Sequence, residues 1–242
     1  MKRGGYDAGV TDWIQFDAEL IACRRCPRLV QHCQHIAQEK RRAYQDWEYW
    51  ARPVPSFGPP TARLLIVGLA PGAHGSNRTG QMFTGDASGV VLFRALYRAG
   101  FASQPATASR HDGMQLIDCR ITAILHCAPP GNKPTAEEIK NCSYFFDREI
   151  AALPNVRGVV ALGQMAFDGY LQALKRLGRP IPSPRPQFAH GALFDMGDTQ
   201  PWLLASYHPS QQNTFTGRLT QAMLDEIFLT ARERLFRQDG QD

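Results

Sequence analysis

The residues with the most chemical potential in this chain are thiols. Cys23 and Cys26 form a Cys-x-x-Cys pair that runs into Pro27, and Cys127 and Cys142 flank a loop and the first turns of a helix. Four thiolates from two separate segments suit tetrahedral zinc or a four-iron cluster. Zinc sites more often use two close pairs, so one pair with two well-separated cysteines leans to iron–sulfur. Ordinary buried cysteines are the alternative. Of the remaining members of the set of six, Cys119 reads as a core residue of a strand, and Cys33 lies within reach of the pair but outside its pattern. The opening MKRGGYDAGV has no apolar leader core, so the expected location is cytoplasmic, where a disulfide framework is not expected.

His208-Pro209-Ser210 follows an apolar run, which puts the histidine just past a strand end with proline fixing the turn. A ring N–H there can donate to an anion that develops during a reaction; a loop histidine with a local partner is the plainer use. Asn213, Thr216, Gly217 and Arg218 follow at a helix start. Backbone N–H groups, a hydroxyl and a guanidinium together hold a phosphate. A third stretch, RLLIVGLAPGAHGSNRTGQMFTGD at 63–86, is an apolar run that stops at Gly68 and continues as a loop with five glycines. No lysine follows those glycines as a P-loop needs. Phe83 suits a stacking platform for a base, or a hydrophobe pinning the loop. Asp86 can orient water, oppose positive charge, or cap the helix that begins near Ser88.

These side chains need a frame that gathers them. Apolar runs at 63–68, 119–125, 158–162 and 202–206 read as strands. Helical spacing covers about 88–99, 136–152, 164–177 and 217–236, with Thr135 and Glu138 placed for a capping box. Strands alternating with helices predict a three-layer α/β/α sandwich on a four-stranded parallel sheet, all strand-end loops sharing one edge. Ahead of this 61–238 core, within the same domain, lies an N-terminal segment, 11–60. It holds a helix from Asp12, a second helix over 29–50 that becomes aromatic at Tyr44, Trp47, Tyr49 and Trp50, and a proline-rich connection at 51–60. Residues 1–10 are expected to fray, and 101–115 and 178–191 to be loops. Net charge of +5 suits an anionic partner such as nucleic acid. No apolar run approaches the roughly 20 residues of a membrane span.

GLAPGAHGSNRTGQMFTGD, HCAPPGNKPT and HPSQQNTFTGRLT, with CRRC upstream, resemble the iron–sulfur uracil-DNA glycosylases, and more closely the family-5 branch, over roughly residues 20–236. The resemblance implies an α/β/α fold and a structural 4Fe-4S cluster on Cys23, Cys26, Cys127 and Cys142. It also implies monofunctional base excision: hydrolysis of the N-glycosidic bond of uracil, and of hypoxanthine or other deaminated and modified bases, leaving an abasic site. His208 and Asp86 become the catalytic candidates. Gly68, Leu69, Ala70, Pro71, Gly72, His74, Phe83, Ala123 and Asn132 become base-pocket candidates, and Asn77, Arg78, Ser210, Gln212, Asn213, Thr216 and Arg218 contacts to DNA. Family-4 relatives carry an acid in GEAPG where this chain has Leu69, which favours family 5 and makes Asp86 the substitute acid. Relatives often place an asparagine in strand two where this chain has Ala123, so a side-chain reader of the base is missing, and backbone groups or Asn132 take its place. Gly75 stands where a bulky excluder would narrow the pocket, so a roomy pocket follows. A monomer is expected. Two other classes fit parts of the pattern: a cluster-containing module that binds damaged DNA without cutting, and a zinc-stabilised nucleotide-processing enzyme on a similar sheet.

Overall fold

Short runs of apolar, often β-branched residues form strands with both faces covered. In the computed structural model, which describes residues 12–239, these are β1 (Leu64–Gly68), β2 (Cys119–Ala123), β3 (Gly158–Leu162) and β5 (Trp202–Ser206), every residue buried. They pair in parallel in the order β2-β1-β3-β5. The expected sheet of four strands is extended to five by β4 (Leu193–Phe194), antiparallel to β5 at the edge. A two-residue strand has too little periodicity to be read from sequence. The fraying expected at 1–10 falls outside the described residues.

Successive strand residues enter opposite layers, as pleating requires. Leu64 and Ile66 pack with Leu92, Phe93 and Leu96 of α4 (Ala87–Arg98) and with Leu224 and Phe228 of α8 (Gln221–Asp239). Leu65 and Val67 pack with Phe146 and Ile150 of α5 (Ala136–Ala151) and with Phe167 and Leu171 of α6 (Gln164–Arg176). The capping box at α5 is present in both directions: the Thr135 hydroxyl accepts from the Glu138 N–H, and the Glu138 carboxylate from the Thr135 N–H.

The N-terminal segment is helical over less of its length than its sequence suggests. Asp12 caps α1 (Trp13–Ile21), and Pro27 opens α2 (Pro27–Glu39). The second helix, expected to reach residue 50, stops at Glu39, where Lys40 turns to a φ of 46°. After one 3-10 turn (Arg42–Tyr44) the chain becomes a strap across the core. The Trp50 and Ala51 N–H groups donate to the carbonyls of Arg78 and Asn77, and Phe57 pairs with Ile121 on the outer edge of β2. Beneath the strap, Arg120 and Glu149 form an ion pair at 2.7 Å, 4% and 0% exposed. Glu149 also accepts from the hydroxyls of Thr122 and Ser56, and the Trp13 ring lies on the guanidinium of Arg120. This one carboxylate therefore joins α5, β2 and the strap, while the arginine it holds carries α1.

From β1 the chain goes to one side, to β2, and then crosses to β3 on the other. The gap between the carboxyl ends of β1 and β3 is a topological switch point, the usual ligand crevice of open α/β sheets.

Candidate active site

Gly68 closes β1 at that crevice. A Cβ there would lie 2.9 Å from Cε2 of Phe83, so glycine lets the phenyl ring seat against the strand end. Phe83 itself has a φ of 55°, a conformation bulky residues avoid. Gly89 makes it possible: a Cβ at 89 would sit 1.7 Å from the Phe83 carbonyl oxygen, so the first turn of α4 closes directly on that carbonyl. A residue held in such backbone geometry by its surroundings is typical of functional sites. Across from Gly68, the Phe83 ring faces His208, with centroids 5.7 Å apart and planes inclined by 31°.

His208 leaves β5 and rests against Gly163, the residue after β3, where a Cβ would come within 3.2 Å of the His208 Cβ. Its carbonyl accepts from Asn213 Nδ2 at 2.9 Å. Burial pushes the imidazolium down to about 4. The ring is therefore neutral at neutral pH, with one N–H to donate and one lone pair. That suits hydrogen bonding to a developing anion better than it suits charge pairing.

Asp86 does two things. One carboxylate oxygen accepts the Gly89 N–H at 3.0 Å and caps α4. The other faces the turn Gly72–Gly75, where Cβ atoms would fall 2.6 and 2.2 Å from it. Burial pushes its carboxyl upward, opposed by the amides of Gly89 and Ser88. The space at Gly75, expected to widen a pocket, is filled by this carboxylate; any side chain at 75 would displace Asp86. In the same loop the carbonyls of Gly68 and Leu69 take the N–H groups of Ile124 and Leu125, and Gly72 takes those of Gly75 and Asn77. The N–H groups of Ala70 and Gly72 meet no backbone acceptor in the turns and loops among the described residues.

Other expected site residues have different placements. Ala123 is buried beside Gly68 in register, as a side-chain-less position. Leu69 and Ala70 are half-buried and Pro71 buried. His74 is braced by the Tyr49 hydroxyl at 3.1 Å. Asn132 is exposed at a φ of 57° in the loop after β2. Asn77 and Arg78, expected at DNA, are 0% and 3% exposed. Asn77 donates to the carbonyls of Cys33 and Ala73. Arg78 donates to those of His74 and Gly85, its guanidinium lying 3.9 Å from the Tyr44 ring centroid and 4.1 Å from that of Trp47. Asn77 ties the loop to α2 and Arg78 ties it to the aromatic rings at the start of the strap, and a duplex cannot reach either side chain.

The helix expected from about 217 starts at Gln221, and a short helix not expected from the sequence precedes it. Ser210 caps α7 (Gln211–Phe215), Gly217 turns with a φ of 71°, and α8 starts at Gln221. Gln212, Thr216 and Arg218 are exposed beside His208, with Arg218 lying over Tyr207 at 4.5 Å. Sequence reasoning passed over Phe215, which is 85% exposed at the end of α7. The signal was an aromatic residue with polar neighbours on both sides.

Cys23, Cys26, Cys127 and Cys142 line one cavity, with Leu20, Leu29 and Phe145 among its apolar walls and about 360 Å³ of atom-free space, part of it open to solvent. The sulfurs rim this space: among the described residues no three His, Cys, Asp or Glu side chains gather where a single ion could sit. Asn141 Nδ2 donates to Cys26 and the His126 N–H to Cys142. Burial pushes the Cys142 thiol up to about 12, a balance that coordination to a metal centre reverses. Cys33 stands against Cys127 and the Ala128 carbonyl, and Cys119 is a core residue of β2 as expected.

Comparison with known proteins gives consistent findings. The family model described as "Uracil DNA glycosylase superfamily" matches residues 55–232. The chain is 47% identical over 226 residues to a type-5 uracil-DNA glycosylase of Mycobacterium bovis, covering 93% of this chain and 82% of that one. It is 48% identical over 220 residues to the type-5 enzyme of Mycobacterium leprae, covering 90% and 94%. With that of Thermus thermophilus the identity is 47% over 219 residues, covering 90% and 95%.

In an NMR titration the His208 ring signals should shift with a midpoint near 4. A midpoint near the ordinary value of about 6.5 would show that burial does not shift the ring.

Proposed function

The chain belongs to the Uracil DNA glycosylase superfamily, and within it we propose that the protein hydrolyses the N-glycosidic bond of uracil in DNA, leaving an abasic site, and that its pocket also admits hypoxanthine and other deaminated or modified bases. The observation that carries the reading is the His208 ring facing Phe83 at the Gly68 strand end. A base reaches such a crevice only after leaving the stack. Phe83 then offers a face for it, and the His208 N–H donates to a base oxygen as negative charge moves onto the leaving base. Asp86, on the Gly72–Gly75 side, opposes the positive charge that grows on the sugar and orients the incoming water. Water supplies oxygen to the sugar carbon, and its proton goes to the departing base.

The breadth of substrate follows from what lines the crevice. Ala123 offers no amide to read a base edge, and a site without buried polar readers cannot strongly reject analogues. On the DNA side, an exposed apolar side chain such as Phe215 can enter the stack and occupy the gap left by an extruded base. Gln212, Thr216 and Arg218 stand beside it for the flanking phosphates.

We further propose a 4Fe-4S cluster on Cys23, Cys26, Cys127 and Cys142. Four sulfurs around an apolar cavity, with N–H groups already directed at two of them, suit a multi-iron centre better than one zinc ion. Hydrolysis needs no electron, so the cluster's contribution is cross-linking: it ties the CRRC turn to the loop after β2.

Single-uracil and single-hypoxanthine oligonucleotides should both acquire alkali-labile sites on incubation with the protein; absence of cleavage on either, with metal content intact, would sink the reading in favour of a binding module. His208→Ala should slow cleavage by about 10²–10³-fold, the usual loss of one donor to a developing charge. Phe215→Ala should lower the rate on duplex DNA by about tenfold, roughly 1.4 kcal/mol, and leave single-stranded substrate nearly unaffected. Anaerobically purified protein should be brown and hold about four irons per chain, and Cys142→Ser should lose both; stoichiometric zinc in colourless protein would overturn the cluster assignment.

A further inference from the structure

Outside the pocket, the strap carries an indole with two arginines on it. The guanidinium carbons of Arg52 and Arg110 lie 4.2 and 4.6 Å from the Trp50 ring centroid. Both arginines are exposed. Among the described residues neither has a carboxylate within ion-pair or hydrogen-bond distance. The acid nearest in sequence to Arg110, Asp112, is occupied: its carboxylate accepts from the N–H groups of Ala108, Ser109 and Met114 and from the Thr107 hydroxyl. The remaining arginines that lie on aromatic rings elsewhere include several with acidic partners, such as Arg120 with Glu149 and Arg148 with Glu19.

This pair is built into the frame of the site. Trp50 is anchored by its indole N–H to the Pro53 carbonyl and by its backbone N–H to that of Arg78. Its ring packs on Gly80, where a Cβ would come within 2.8 Å, and Gly80 leads through Gln81 and Met82 to Phe83. The segment holding Arg110 reaches the same loop, since Gln81 Nε2 donates to the Thr107 hydroxyl. Arg52 and Arg110 come from stretches far apart in sequence and meet on one ring beside the loop that carries Phe83.

We propose that Arg52 and Arg110 form a second anion site, outside the base pocket, that binds backbone phosphates of the DNA whose base the pocket receives. The proposal rests on the glycosylase reading for its partner. Guanidinium groups match phosphate oxygens in a planar fork, and stacking on the indole orients them before binding. With no carboxylate to compete, both charges are available to DNA. Their role is affinity and register, with no part in bond cleavage.

The test is duplex binding by the full-length protein across a KCl series, followed by fluorescence anisotropy. Each phosphate contact contributes about 0.9 to the slope of log K against log salt. An Arg52→Ala/Arg110→Ala variant should lose about 1.8 from that slope, each single variant about half, and Arg52→Lys/Arg110→Lys should retain most of it. Single-turnover cleavage at saturating DNA should match the parent. An unchanged slope in the double variant, with an unchanged melting temperature showing it folded, overturns the proposal, as does a slope that falls only with a lowered kcat. If the parent protein binds duplex but cuts neither uracil nor hypoxanthine, the glycosylase reading fails, while the slope still decides this one.

Discussion

A buried positive charge with no carboxylate in hydrogen-bond contact among the described residues holds the site loop in shape. Arg78 is enclosed, and burying a guanidinium is costly unless its donors are met. The protein meets Nε and Nη2 with two carbonyls, of His74 and Gly85, and leaves Nη1 without a hydrogen-bond partner among the described residues, the cation lying on the faces of Tyr44 and Trp47. Those partners come from both ends of the glycine loop and from the strap. Phe83 and Asp86 are thereby held between fixed points. The loop can be rich in glycine and still present a defined surface, because its conformation is set by a cation at its centre.

Burial acts on both reactive candidates, and at Asp86 the capping amides and Arg78 oppose it. Burial lowers the affinity of His208 for a proton and raises that of Asp86. A site of this kind excludes water, and in a low-dielectric setting a single well-aimed dipole counts for more. Charge is instead concentrated elsewhere. It sits in the Arg120–Glu149 pair that fastens α1, α5 and the strap to the sheet, and on exposed arginines along the outer surface.

Much of this was legible in the sequence because it is local. Strands β1, β2, β3 and β5 are buried on both faces and read as short, largely apolar runs, broken in β2 by Arg120 and Thr122, and the Thr135–Glu138 box announces its helix. His208 could be singled out because it follows an apolar run that ends abruptly, and Phe83 because it is an aromatic residue inside a glycine-rich loop. Long-range contacts were not legible. Lys40–Trp50 looks like a helix until Arg78 and Gly80 supply partners 30 or so residues away in sequence. Asn77 and Arg78 look like surface residues for the same reason. Gly217, read as the start of the last helix, turns the chain between α7 and α8, and Gly75 reads as empty space although Asp86 fills it.

The strap and the proline-rich connection before β5 also settle how the sheet ends. On one margin, Phe57 exchanges both backbone hydrogen bonds with Ile121. On the other, Gly191 to Phe194 lie against β5, with the N–H of Gly191 on the carbonyl of Ala205 and the N–H of Ala205 on that of Ala192. Neither flank is a full strand, yet together they occupy polar groups that an open sheet would offer to any passing chain. Molecules crowded along one nucleic acid would meet repeatedly at high local concentration. With both margins closed by fragments of its own chain, this sheet offers them little to extend.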